Sequence, residues 1–255
     1  MTEPVEGYRD FQEPNPASIR EPIPAGVPFW SWLDVLIFLV CAASALAVGG
    51  LLAAVAKFLL PIPNVTPAML AIVAQFLGYG LMFVALAQLL KARYHAPFWQ
   101  SIAWNTRVPG IEWAYLKGLA IAGVLIVLGA LLKTPRIDTP MEAIMKDPRN
   151  AIVVAIFAVT LGPVAEEVIF RGFLMPILIR DLNLPAGIFL SSLAFALLHG
   201  QQYAWSWQHV TLILVAGCAF GYIRYRTGST AYAALVHSGY NSFFLMAYFI
   251  QKWID

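Results

Sequence analysis

Charge is what this 255-residue sequence has least of: 12% of its residues are Asp, Glu, Lys or Arg, against roughly 25% in an ordinary soluble domain. With 60% hydrophobic residues and a mean hydropathy of +0.72, there is too little polar surface to cover a soluble protein of this size. The same composition excludes collagen-like, disulfide-dense and disordered chains, none of which is this apolar. Net charge is +2, too small to point to nucleic acid. The two cysteines, Cys41 and Cys218, lie inside apolar runs; they read as small buried hydrophobes, with no disulfide framework and no CxxC metal pair. No HExxH is present, which excludes a soluble-type zinc protease helix. The first 28 residues contain no signal-peptide core; they are polar and hold six prolines, Pro4 to Pro28, so a flexible, partly polyproline-like tail is expected. There is no internal repeat.

What is there in abundance is apolar sequence. Val35–Leu60 is long enough to span a bilayer and ends at Pro61-Ile-Pro63. Ala68–Leu90 follows, closed by Lys91 and Arg93, and then a polar loop whose Trp99, Trp104 and Trp113 suit a membrane interface. Trp113–Leu132 is the third run, and Lys133–Asn150 leaves room for a short interfacial helix. The fourth run, Ala151–Ile179, is expected to kink or divide at Gly162-Pro163. Leu184–His199 and Val210–Ile223 are short, so both are expected to extend into polar neighbours that line a protein cavity. Gly217 and Gly221 form a GxxxG face, which suits close helix packing or is incidental. Ala231–Ile250 is last. The expected fold is all-α, a polytopic transmembrane helical bundle of seven to eight spans. Counted over seven spans, nine Lys or Arg fall on the N-terminal side and six on the other, which favours a cytoplasmic N-terminus. The organisation expected is a flexible Pro-rich cytoplasmic tail over 1–32, N-terminal transmembrane helices over 33–150 and a catalytic transmembrane core over 151–255. Membrane lipids are the implied surroundings, in a bacterial or archaeal cytoplasmic membrane.

Against this background a few polar residues are out of place. An ionisable side chain at bilayer depth costs about 2.5–3.5 kcal/mol on insertion scales, so it needs a partner or a task. Glu166, Glu167, Arg171, His199, His237 and Asn241 all fall within the C-terminal apolar runs. Glu167 and Arg171 are four apart and can pair along one helix face. Glu166 points about 100° away from Glu167, so one carboxylate can be neutralised while its neighbour faces elsewhere and accepts a proton from water. His237 and Asn241 share a face, and Gly239 between them admits a neighbouring helix. A carboxylate, two imidazoles and an amide on three helices supply a base, donors and an oxyanion stabiliser, as hydrolysis requires. Glu166, His199 and His237 could equally hold a zinc ion with an open position. In the first three runs Gln75 and Gln88 are expected to form interhelical hydrogen bonds and Lys57 to snorkel. His95 and His209 are assigned to loops.

Three stretches resemble one family. Gly162-Pro163-Val-Ala-Glu166-Glu167-Val-Ile-Phe170-Arg171-Gly172 is similar to the EExxxR motif of the CPBP intramembrane proteases, also called the CAAX protease and bacteriocin-processing (Abi) family. Phe195-Ala-Leu-Leu-His199 resembles its FxxxH motif, and His237-Ser-Gly-Tyr-Asn241 its HxxxN motif, preceded by a family-like Arg226-Thr-Gly-Ser229. The resemblance covers about Ala151–Tyr248. It implies an intramembrane endopeptidase with a cavity open to the cytosol, acting on a membrane-associated or prenylated peptide or protein. In that scheme Glu166, helped by His199, activates water; His237 and Asn241 stabilise the oxyanion; Glu167 and Arg171 support Glu166. Zinc dependence stays open, as do a non-proteolytic scaffold that kept the site and a proton-coupled transporter.

Overall fold

The computed structural model describes residues 28–60 and 65–254. Most of the tail assigned to 1–32 lies outside the described residues. Among them the chain is entirely helical, with no strand. The α-helices in chain order are α1 (Trp32–Leu59), α2 (Pro67–Tyr94), the short α3 (Phe98–Ser101), α4 (Ala114–Leu131), α5 (Pro140–Met145), α6 (Pro148–Val159), α7 (Leu161–Glu167), α8 (Met175–Asp181), α9 (Leu184–Leu198), α10 (Trp207–Thr227) and α11 (Thr230–Ile254). A π-helical turn, Val168–Leu174, joins α7 to α8. Local sequence explains the boundaries. Thr66, Thr139, Asp147 and Asn183 each accept a backbone N–H with a side-chain oxygen just ahead of a proline-bearing first turn. Gly228, at φ 63°, closes α10 in the left-handed conformation that glycine adopts without strain.

Among the described residues four helical stretches are long and apolar enough to cross a membrane: Trp32–Leu59, Met69–Tyr94, Ile111–Leu131 and Pro148–Asp181. Their outward faces are leucine, valine and phenylalanine, with Leu36, Leu51, Phe58, Val124 and Val127 all exposed. Such a surface is stable against lipid and not against water. The protein is an integral membrane protein of the all-α class.

The fourth run is interrupted at Thr160 (φ −121°, ψ −82°), three residues ahead of Pro163. The proline supplies no N–H to the carbonyl four residues back and its ring crowds that carbonyl, so the break falls before it. Thr160 Oγ1 donates to the Ile156 carbonyl at 2.6 Å and closes the exposed end of α6. Of the two short runs, α10 extends at both ends as expected. α9 does not: its 15 residues rise about 22 Å and stop at a 3₁₀ turn, Gly200–Tyr203. His209 sits in the first turn of α10 rather than in a loop, stacked on Tyr203 at 4.7 Å. Gln75 donates to Tyr79 in its own helix at 3.0 Å, which corrects the interhelical role expected for it.

Contacts sort the connections to two ends of the bundle. Trp32 meets Asp181, Tyr94 meets Asp34, and Thr230 meets Ile102 at one end. Thr66 meets Asn150 and Lys252 meets Met145 at the other. Between them, small residues let helices touch. A Cβ on Gly118 of α4 would lie 1.9 Å from the Val236 carbonyl oxygen of α11, and one on Gly239 would lie 2.1 Å from that of Tyr115. The GxxxG face is likewise a packing surface: Gly217 lies against Ser192 and Gly221 against Ile188, both on α9. α8 to α11 thereby wrap the segment that holds the carboxylates.

Candidate active site

Glu166 and Glu167 occupy the last turn of α7, Arg171 the π-turn, His199 the residue that ends α9, and His237 and Asn241 one face of α11. Folding brings the first five together. Arg171 Nη1 donates to Glu167 Oε1 at 2.9 Å, the pair expected from their spacing, and both side chains are fully buried. His237 Nδ1 lies 3.0 Å from the same Glu167 oxygen. A carboxylate oxygen accepts, so Nδ1 is the donor, and His237 Nε2 is left facing Glu166 Oε2 at 3.6 Å. His199 is set the same way: Nδ1 donates to the Phe195 carbonyl at 2.8 Å, one helical turn back. Its Nε2 stands 4.0 Å from Glu166 Oε1. Two imidazoles therefore turn equivalent nitrogens toward one carboxylate.

Exposure divides the cluster. The side chains of Glu167, Arg171 and His237 are 0%, 0% and 4% exposed, whereas those of Glu166 and His199 are 20% and 26% exposed. Glu166 and His199 are open to the outside of the protein, and the groups behind them are not. Behind them the charges are held by aromatic rings and backbone. The Arg171 guanidinium lies 4.8, 5.6 and 5.9 Å from the ring centres of Phe195, Phe220 and Phe170, a cation–π environment that lowers the cost of burying it. Its Nη2 donates to the Gly217 carbonyl at 2.9 Å. Gly217 is needed there, because a Cβ would lie 3.0 Å from that nitrogen. Phe220 also stacks on the His237 ring at 4.7 Å. Glu167 Oε2 and Arg171 Nε remain buried without a hydrogen-bond partner.

Asn241 is placed differently. Its amide nitrogen donates to the Ala158 carbonyl at 2.8 Å, in the last turn of α6 ahead of the Thr160 break. It braces α11 against α6 and, among the described residues, no hydrogen bond joins it to Glu166, His199 or His237. Glu166, His199 and His237, the set named for zinc, lie together here, with both imidazole Nε2 atoms within 4.0 Å of the carboxylate; among the described residues no three His, Cys, Asp or Glu side chains are close enough as placed to share a metal ion.

The π-turn is absent from the sequence-level expectation. The Met175 N–H reaches the Phe170 carbonyl, five residues back. That wider turn opens carbonyls to side chains: Ser191 Oγ donates to Phe170 at 2.9 Å and the Trp30 indole to Phe173 at 3.2 Å. Pro176, with no N–H to return to the turn before it, is the signal in the sequence that the ladder is disturbed there. Between α1, α2, α7 and the π-turn lies a small apolar pocket of about 10 Å³, lined among others by Phe38, Tyr79, Phe83 and Ala165. At the rim beyond His199, burial and the charge of Glu142 hold the Tyr203 phenol above its usual range, so it stays a neutral donor.

Residues 148–243 match the family model of the type II CAAX prenyl endopeptidase Rce1-like domain. The matched stretch holds all six site residues and begins where α6 begins, so α1 to α5 lie outside it. Comparison with curated proteins and with solved structures gives no match.

Proposed function

We propose that this chain, whose residues 148–243 carry a Rce1-like domain of the type II CAAX prenyl endopeptidases, is an intramembrane endopeptidase in which Glu166 activates water. The observation that carries this is the convergence of two imidazole Nε2 atoms on Glu166, the one carboxylate of the adjacent pair that is left partly exposed. Glu167, next along the helix, is engaged by Arg171 and His237 and serves as the counter-charge that fixes them.

The step balances as follows. A water held between Glu166 and His199 gives a proton to the Glu166 carboxylate as its oxygen bonds to the peptide carbonyl carbon. Negative charge gathers on the former carbonyl oxygen. His237 stabilises it when its Nε2 carries a proton, and the second amide hydrogen of Asn241 adds to this where the substrate reaches that far along α11. The C–N bond then breaks, Glu166 returns the proton to the leaving nitrogen, and a new carboxyl group and a free amine result. No covalent enzyme intermediate forms, since the base acts on water. The ring-lined, half-buried site strengthens the electrostatics of each step.

The test is cleavage of a prenylated CAAX peptide and its unprenylated counterpart by protein purified in detergent. Glu166→Gln, His199→Ala and His237→Ala are expected to remove cleavage while the protein still folds. A folded Glu166→Gln protein that cleaves at the wild-type rate overturns the assignment.

A further inference from the structure

The residues just ahead of α1 lie against the segment that carries the site. Phe29 and Trp30 are 4% and 0% exposed. The Trp30 ring stacks on Phe173 with centres 5.2 Å apart and planes at 24°. Its indole N–H donates to the Phe173 carbonyl within the π-turn at 3.2 Å. Seven residues further on, Arg180 Nη1 donates to the carbonyls of Pro28 at 3.3 Å and Trp30 at 3.0 Å. The Trp32 indole donates to Asp181 Oδ2 at 2.7 Å. The segment Pro28–Trp32 is thus fastened to both the π-turn and the end of α8, on residues more than 140 positions away in sequence.

A π-turn is less favourable than the α-helix around it and persists where outside partners hold it. This one carries Arg171, two residues before Phe173, and begins next to Glu167. Were it to relax to a regular helix, the residues on one side would rotate by about 100° relative to those on the other. Glu167 and Arg171, four apart, would stay neighbours, but α7 would turn Glu166 and Glu167 away from His199 and His237, which the end of α9 and α11 carry.

We propose that Trp30 is a positioning residue, whose indole N–H and ring hold the π-turn that sets the rotation of α7 and thereby keeps Glu166 and Glu167 facing His199 and His237. This rests on the reading of Glu166 as the group that activates water. Trp30 touches no reacting atom, so its loss acts on turnover rather than on substrate affinity.

The experiment uses the full chain in detergent, with the prenylated CAAX peptide as substrate, and separates kcat from KM. Thermal melting of each variant reports folding. Trp30→Phe keeps a ring on Phe173 and removes the donor; kcat is expected to fall about tenfold with KM within twofold, on the scale by which small misplacements of catalytic groups slow enzymes. Arg180→Gln, which releases the Pro28 and Trp30 carbonyls, is expected to lower kcat about threefold with KM again unchanged. Unchanged kcat in a folded Trp30→Phe protein, or a rise confined to KM, overturns the proposal; if Trp30→Phe does not fold, Arg180→Gln decides by the same criterion. Glu166→Gln is measured alongside. Cleavage by Glu166→Gln overturns the water-activation reading and this inference with it, whereas an inactive Glu166→Gln beside an unaffected Trp30→Phe overturns the role of Trp30 alone.

Discussion

The molecule buries two carboxylates beside arginines, one in each half, and puts them to different ends. Asp34, at the start of α1, is fully buried, but its partner Arg93 is 42% exposed and meets it at 2.7 Å at the rim of the bundle. Asp34 Oδ2 also accepts from the Ser31 N–H, the Ser31 hydroxyl and the Tyr94 hydroxyl. The arginine keeps part of its hydration and the carboxylate is tied to the first turn of its own helix, as a capping residue is. Glu167 and Arg171 are both fully buried in the interior, and each keeps one polar atom without a hydrogen-bond partner, as Asp34 does at Oδ1; the difference is that here the arginine is buried too. Desolvating two charges this deeply recovers little net stability. A pair kept at that cost is better explained by what it orients, here His237 and the turn next to Glu166, than by what it holds together.

The sharpest way to break that comparison is to remove Glu166 itself. Glu166→Gln is expected to lower kcat by a factor on the order of 10²–10⁴, the usual contribution of a positioned general base, measured by peptide cleavage under single-turnover conditions. Next in size, Arg171→Met leaves the Glu167 carboxylate buried and uncompensated and is expected to cost about 3–5 kcal/mol, measured by denaturant unfolding in detergent; Glu167→Gln combined with Arg171→Met is expected to recover much of that stability without recovering cleavage. Gly217→Ala drives a methyl group against Ser192 and the Arg171 guanidinium, and about 1–3 kcal/mol of destabilisation is expected, with cleavage reduced as well. The smallest effect belongs to the rim: Arg93→Gln is expected to change stability by about 0–1 kcal/mol and to leave cleavage intact. If Arg93→Gln proves as damaging as Arg171→Met, the contrast between rim and interior fails.

How much of this was legible beforehand depends on how local each feature is. The spacing of Glu167 and Arg171 predicts their pairing, because residues four apart on a helix are neighbours whatever surrounds them. The glycines at 217, 221 and 239 mark close helix approach, and each does meet a neighbouring helix. The interruption near Pro163 follows from the missing N–H, though it lies at Thr160 because proline disturbs the turn before it. Of the π-turn only a disturbance at Pro176 was legible; its extra residue is sustained by Trp30, ahead of α1, and Ser191, in the middle of α9, donors far away in sequence. The use of Asn241 on Ala158 was not legible: the free carbonyl it caps exists only after α6 breaks.

The sequence by itself determined that this chain lives in a membrane, since transfer of apolar surface is a sum over residues and needs no fold to evaluate. It also determined that six polar residues in its C-terminal half stand out, because polar groups at that depth need a reason. Only the tertiary structure decided which of two adjacent, chemically identical glutamates is left exposed. Glu166 and Glu167 differ by one step of helical rotation, and that step matters because Arg171, His237 and Phe220 close over one side while the other stays open beside His199. Solvent access belongs to the packing of several helices at once, and no stretch of sequence carries it alone.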